Sequence, residues 1–159
     1  MRLIRAVAIA TLLIVMASPA FADATIFIGG SGSPSTRQAR GFAVGMGLLI
    51  VAFEFEYSNV SEDAAEGAPR LRTGMGNVLL QTPFAISGFQ PYFTIGGGGY
   101  RETLDARQET NFGVNTGGGV KISLIGPLRA RVDYRVFTLK GSPLYDVVHR
   151  FYVGANLKF

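Results

Sequence analysis

The chain has no cysteine, no tryptophan and one histidine, His149. Without cysteine there is no disulfide framework to stabilise an exported domain and no thiol chemistry. A lone histidine offers too few ligands for a metal centre, so neither a metal nor a cofactor is expected. Charge of one sign is also scarce: 15 Lys and Arg stand against 11 Asp and Glu, a formal net charge of +4. Two of those arginines, Arg2 and Arg5, sit in the N-terminal segment described next. So small an imbalance gives no basis for a nucleic-acid partner. Beyond residue 22 there is no apolar run approaching the ~20 residues that a membrane helix needs. If this chain crosses a bilayer, it must do so as a closed barrel, in which every backbone polar group finds a partner on a neighbouring strand.

Residues 1–22 have the form of a cleaved export signal. Arg2 and Arg5 give a positive start, residues 6–16 are apolar, and Ala20-Phe21-Ala22 has the small-x-small form of a cleavage site. The mature chain is expected to begin at Asp23, with residues 23–159 forming one domain.

That domain is written in a two-residue period, the signature of strands with one oily and one wet face. Phe42, Val44, Met46 and Leu48 alternate with small residues, and Val51, Phe53, Phe55 and Tyr57 alternate with Ala52, Glu54 and Glu56. Leu71, Thr73, Met75 and Leu79 share a face opposite Arg72, Gly74 and Gly76. The alternation continues through Phe93 and Ile95, Phe112 to Ile122, Leu128 to Val136, and Phe151 to Phe159. With a shorter segment over 24–30, whose oily face the residues do not fix, the pattern predicts an all-β fold: an eight-stranded antiparallel up-and-down transmembrane β-barrel. Polar connections over 31–40, 59–69, 102–110 and 140–147 alternate with connections at 49–50, 81–88 and 126–127. Long loops on one side and short turns on the other is the arrangement of outer-membrane barrels.

A soluble barrel would turn the oily faces inward, and a membrane barrel would turn them out. The wet faces hold many glycines, among them Gly45, Gly47, Gly117, Gly119 and Gly154. A solvated surface has no use for so much glycine, whereas a narrow lumen needs room opposite long side chains. The lumen is therefore expected to hold Glu54, Glu56, Arg72, Lys121, Arg129, Arg131, Asp133, Arg135, Arg150 and Lys158. Glu54 and Glu56 would bridge arginines from several strands, with the surplus positive charge near the wet ends. Such a ladder is either structural filling or the wall of an ion path.

Phe89-Gln90-Pro91-Tyr92-Phe93-Thr94-Ile95-Gly96-Gly97-Gly98-Gly99-Tyr100 resembles the glycine-rich strand of OmpA-like, eight-stranded outer-membrane barrels. Residues 112–124, followed by Leu128-Arg129-Ala130-Arg131-Val132-Asp133-Tyr134-Arg135, resemble their next hairpin. Tyr152, Gly154, Leu157 and Phe159 are similar to the C-terminal signal read by the barrel-assembly machinery. The resemblance implies a monomeric outer-membrane protein whose partners are outer-membrane lipid, lipopolysaccharide and the assembly machinery. Its expected role is structural or surface interaction, with a side-chain-filled lumen. The alternatives are a narrow pore for small solutes and, less favoured, a lipid A-modifying enzyme. The deacylase pattern resembles His-x-Ser, but Phe151 stands where the serine would be, so no catalytic residue is expected. Arg37, Arg40, Arg101, Arg107, Lys140 and Arg150 are within reach of lipopolysaccharide phosphates at the rim. They are interleaved with Glu62, Asp63, Glu66, Glu102, Asp105, Glu109 and Asp146, as on an ordinary solvated surface.

Overall fold

The structure, a computed structural model, describes residues 20–159. Most of the expected leader, including its basic start and apolar stretch, lies outside the described residues. Eight strands follow one another: β1 (Ala20–Gly32), β2 (Thr36–Leu48), β3 (Val51–Val60), β4 (Arg70–Gln81), β5 (Phe89–Leu104), β6 (Arg107–Ile125), β7 (Leu128–Leu139) and β8 (Val147–Lys158). Each pairs antiparallel with the next, and β1 pairs with β8, so the sheet closes on itself. Closure removes the unpaired edge that an open sheet would present. Ala22, the last residue of the expected leader, and Phe159 exchange backbone hydrogen bonds of 3.0 and 2.9 Å in the uncut chain; from Asp23 onward β1 pairs with β8 without it.

The two faces separate by polarity in the sense expected of a membrane barrel. Phe42, Phe53, Phe55, Phe93, Ile95, Phe112, Phe151 and Val153 are exposed on the outer wall. Glu54, Glu56, Arg131, Asp133, Arg135 and Arg150 are buried inside it. On β1, where the residues alone left the phase open, Ile26 and Ile28 face out while Thr25 and Phe27 face in. Glycine serves the crowded interior at particular points. A Cβ on Gly119 would stand 2.4 Å from the Tyr92 hydroxyl, and one on Gly154 would stand 2.5 Å from the Ile26 carbonyl oxygen.

Strand β4 corrects the expected assignment. Leu71, Thr73, Met75 and Leu79 point into the lumen, and Arg72 is exposed on the outer wall with Gly74 and Gly76 below it. Arg72 is therefore not part of the interior charge network. The reason is Asn77, which shares the parity of Leu71 and Met75. Turning those residues outward would drag its amide into the apolar belt, where an unpaired polar group is costly. Turned inward, Asn77 lies opposite Glu54 in register and donates to its carboxylate at 3.5 Å. The opposite face gains Val78 and Leu80, both exposed to the outside.

The connections also differ from expectation. The polar segment over 31–40 is mostly strand, closing in a short turn at 33–35, and 102–110 is a hairpin that turns on Asp105 and Ala106. Asp105 has φ 50°, the left-handed conformation favoured in two-residue hairpin turns. Polar composition marks where strands leave an apolar belt, not where they stop. The longer connections are 61–69, which carries one 3-10 turn (Ala64–Glu66), 82–88 and 140–146. Long and short connections therefore do not segregate cleanly to the two ends.

The inverted phase of β4 is directly measurable, since the native chain has no cysteine. In the folded barrel, Arg72→Cys reacts rapidly with a water-soluble maleimide and Met75→Cys stays protected until denaturation. The reverse pattern would restore the original phase.

Candidate functional site: the filled lumen

β3 and β7 face each other across the closed ring, since three strands lie between them in either direction. Their inward side chains meet in the middle of the lumen. Arg131 on β7 pairs with Glu54 on β3 through both guanidinium nitrogens, the second contact at 3.3 Å, and with Asp133 at 3.1 Å. Arg135, one turn of the pleat further along β7, reaches Glu54 at 2.9 Å and Asp133 at 2.9 Å. Its other terminal nitrogen lies 3.1 Å from Glu56, an ion contact without hydrogen-bond alignment. Arg150 on β8 pairs with the opposite oxygen of Glu56 and donates to Ser58 Oγ at 2.6 Å. The strand period places these groups. Residues 131, 133 and 135 point the same way because they are two apart, as do 54, 56 and 58.

Three arginines and three carboxylates thus form one neutral cluster, in which every carboxylate contacts at least one guanidinium. Aromatic hydroxyls add further donors to Asp133. Tyr92 donates to Asp133 at 2.5 Å, Tyr152 donates to the same oxygen at 3.1 Å, and Arg131 Nε donates to Tyr92 Oη at 2.7 Å. The Arg150 guanidinium lies 4.5 Å from the Phe137 ring centroid, a cation–π contact in a desolvated place. Full pairing is what makes burial of so many charges tolerable, because an unpaired ion here would carry the whole desolvation cost.

The cluster lies between two other layers. Toward the end that carries the 61–69 and 140–146 loops, the lumen is apolar: Ala39, Val60, Leu71, Met75, Tyr100, Phe137, Leu139 and Val148 pack together. Toward the end that carries the chain terminus, Ala52, Leu79 and Tyr92 pack together, and beyond them Lys121 and Arg129 share Asp23 at 2.5 and 3.1 Å. Arg129 also donates to Asn156 at 2.7 Å and to Gln90 at 3.0 Å. Two cations on one carboxylate leave a positive surplus at this mouth. Lys158 is only partly buried there, and in the uncut chain its ammonium lies over the ring of Phe21, a residue of the expected leader.

Of the ten residues expected in the lumen, the structure gathers Glu54, Glu56, Arg131, Asp133, Arg135 and Arg150 into one cluster, places Lys121 and Arg129 together at the mouth with Lys158 partly buried beside them, and excludes Arg72. Asp23 was missed. Its partners lie 98 and 106 residues away in sequence, so no local pattern announces it. Tyr92, Asn77 and Tyr152 were also missed as network members, although their inward parity beside charged neighbours was available. Of the expected assembly signal, Tyr152 is wholly buried against the network, Gly154 makes the close approach to β1 already described, and Leu157 and Phe159 face outward. His149 lies on the outer wall and shares a hydrogen bond of 2.8 Å with the Tyr134 hydroxyl.

At the loop end, two of the arginines expected at the rim turn inward instead. Arg150 joins the cluster, and Arg37 is buried against the carbonyls of Pro69, Ser61 and Ser33. Arg37 thereby fixes the 61–69 loop. Glu102 accepts the Leu144 N–H at 2.9 Å and Tyr100 donates to the Lys140 carbonyl at 2.6 Å, which fixes the 140–146 loop.

No protein-family model matches the chain, and no curated protein sequence matches it. Solved structures do. The chain is similar to Neisserial surface protein A, with 14% identity over 88% of this chain and 97% of that one and a TM-score of 0.70. It is similar to the N-terminal β-barrel domain of Pseudomonas aeruginosa OprF, with 14% identity over 87% and 97% and a TM-score of 0.65. It also resembles the outer-membrane enzyme PagL, with 15% identity over 85% and 98% and a TM-score of 0.54. At these identities the likeness establishes the fold: a closed, eight-stranded antiparallel barrel of the kind found in outer-membrane proteins.

Proposed function

We propose that the chain is a bacterial outer-membrane barrel, exported through its N-terminal signal, that serves a structural or surface-interaction role and conducts nothing. The observation that carries this reading is the layering of the lumen. A charged layer that is internally neutral is capped on the loop side by packed apolar side chains. A solute path needs charged groups free to exchange with water along its length, and here the charges of the central layer are paired with one another. The straps from Arg37, Tyr100 and Glu102 hold the 61–69 and 140–146 loops against the barrel, which suits a fixed surface more than a moving gate. The surroundings of His149 argue against hydrolysis in the manner of a Ser-His pair, since its ring is bonded to Tyr134 and not to a serine or an acid.

Three outcomes are expected. Purified barrel in planar bilayers shows no discrete conductance, and Glu54→Ala does not open one; stepwise conductance from the wild type would favour the narrow pore. The same Glu54→Ala change lowers the unfolding free energy by roughly 3–5 kcal/mol, read as an earlier urea midpoint for loss of heat-modifiable gel mobility, because it removes one of three carboxylates and leaves the buried cluster with an uncompensated positive charge. Lipid A incubated with the wild-type protein keeps its mass spectrum unchanged, and loss of an acyl chain that depends on His149 would establish an enzyme.

A further inference from the structure

The outward turn of β4 puts Arg72 on the outer wall, directly opposite Arg101 of β5 in the strand register. The same hydrogen-bonded row continues to Asn59 and then Arg40 on one side and to Thr110 on the other. Arg70, two residues from Arg72 on the same face, is also exposed. Among the described residues none of these four arginines forms an ion pair, although every arginine buried in the central cluster does. Like charges directly opposite on one face repel. Among the described residues no acidic group pairs with Arg72 or Arg101, and Arg101 Nε donates to the neutral Thr110 hydroxyl at 3.3 Å.

The wall beneath them is incomplete. The next outward row reads Phe42, Tyr57, Gly74, Gly99, Phe112, and the row after it Val44, Phe55, Gly76, Gly97, Val114. An aromatic girdle is thus broken, over two strands and two rows, directly below the arginine pair. A Cβ on Gly99 would meet nothing within 4 Å. The Phe112 ring edge covers Gly97, 2.8 Å from where a Cβ would stand, and that of Phe55 comes within 4.0 Å of the same point on Gly74, so the open part of the notch lies over Gly74, Gly76 and Gly99. Val78 and Ile95, opposite one another, close the notch at the bottom. From Arg72 to Val78 the notch runs about 20 Å along the strand, at ~3.3–3.4 Å per residue. Its upper part, lined by Tyr57, Arg72, Gly74, Gly99, Arg101 and Thr110, encloses about 360 Å³. Below it and extending toward β2 lies an open, almost wholly apolar depression of about 700 Å³ along Val44, Met46, Phe53, Phe55, Gly76, Val78 and Ile95.

We propose that Arg72 and Arg101, with Arg40 and Arg70 beside them, hold the phosphate group of an anionic lipid whose acyl chain lies in the notch over Gly74, Gly76 and Gly99. The inference rests on the outer-membrane reading, which supplies lipid against this wall. Charge selects the occupant. Guanidinium groups match phosphate oxygens in a bidentate geometry, and an anion between two facing arginines converts their repulsion into two attractions. A zwitterionic or uncharged lipid would fill the notch without engaging the pair.

The test uses the full barrel in detergent micelles, titrated with diphosphoryl lipid A and read by native mass spectrometry, with phosphatidylcholine as the uncharged-net comparison. Wild type retains diphosphoryl lipid A in preference to phosphatidylcholine. Arg72→Gln with Arg101→Gln weakens that retention about tenfold, equivalent to about 1.4 kcal/mol, and Gly76→Leu weakens it with every arginine in place. Arg107→Gln, at the tip of the β5–β6 hairpin, leaves it unchanged. Heat-modifiable mobility of each variant reports that the barrel has formed. Equal retention of the two lipids by a folded wild type, or full retention by the double variant, overturns the proposal while leaving the outer-membrane reading intact. Displacement of the lipid by inorganic phosphate alone overturns the acyl seat. Failure of the wild type to insert into bilayers of any composition removes both readings.

Discussion

The grip of Arg131 and Arg135 on Glu54 is the contact on which the rest of this structure depends. It runs across the full width of the lumen, from β7 to β3, and so sets the distance between opposite walls. It is also the reason that charge can occupy the interior at all. Asp133 sits between the two arginines on their own strand, Glu56 extends the chain of pairs to Arg150, and Tyr92 and Tyr152 add further donors to Asp133. Removing any member leaves its neighbours charged and dry. A cluster of this kind favours one register of the barrel strongly, because shifting any strand by one residue would turn its ions into the apolar surroundings.

From that interior the outside follows. Once the odd-numbered positions of β7 and the even-numbered positions of β3 are committed inward, Phe53, Phe55, Val132 and Tyr134 have only the outer wall left. The same logic passes from strand to strand through the ladder until β8 meets β1. An oily exterior around a polar, glycine-relieved interior is the arrangement that lipid requires and water forbids. The break in this exterior at Gly74, Gly76 and Gly99 therefore stands out as a local exception, and it lies beneath the arginines that the interior does not use.

Much of this was legible in the residues, and what was not has a physical cause. The two-residue period located all eight strands, and alternation set the phase correctly wherever one face was uniformly oily, as on β3, β7 and β8. It misled on β4 because the lumen is not uniformly polar. Leu71, Met75 and Leu79 belong to its apolar end layers, so hydrophobicity alone pointed the wrong way, and only Asn77 among them carried the correct phase. Polar residues at 31–40 and 102–110 were mistaken for loops because backbone pairing continues past the point where an apolar belt ends. The charges of the central cluster were visible as residue types, but their pairing was not, since Glu54 meets arginines 77 and 81 residues away.

The most direct test of the orientation uses nitroxide labels on Phe55→Cys and Val132→Cys in reconstituted vesicles, probed by collision with oxygen and with a water-soluble nickel chelate. Both positions should collide readily with lipid-dissolved oxygen and be shielded from nickel. Free access of nickel with little effect of oxygen at both sites would mean that these side chains face water, and the assignment of lumen and exterior would be wrong.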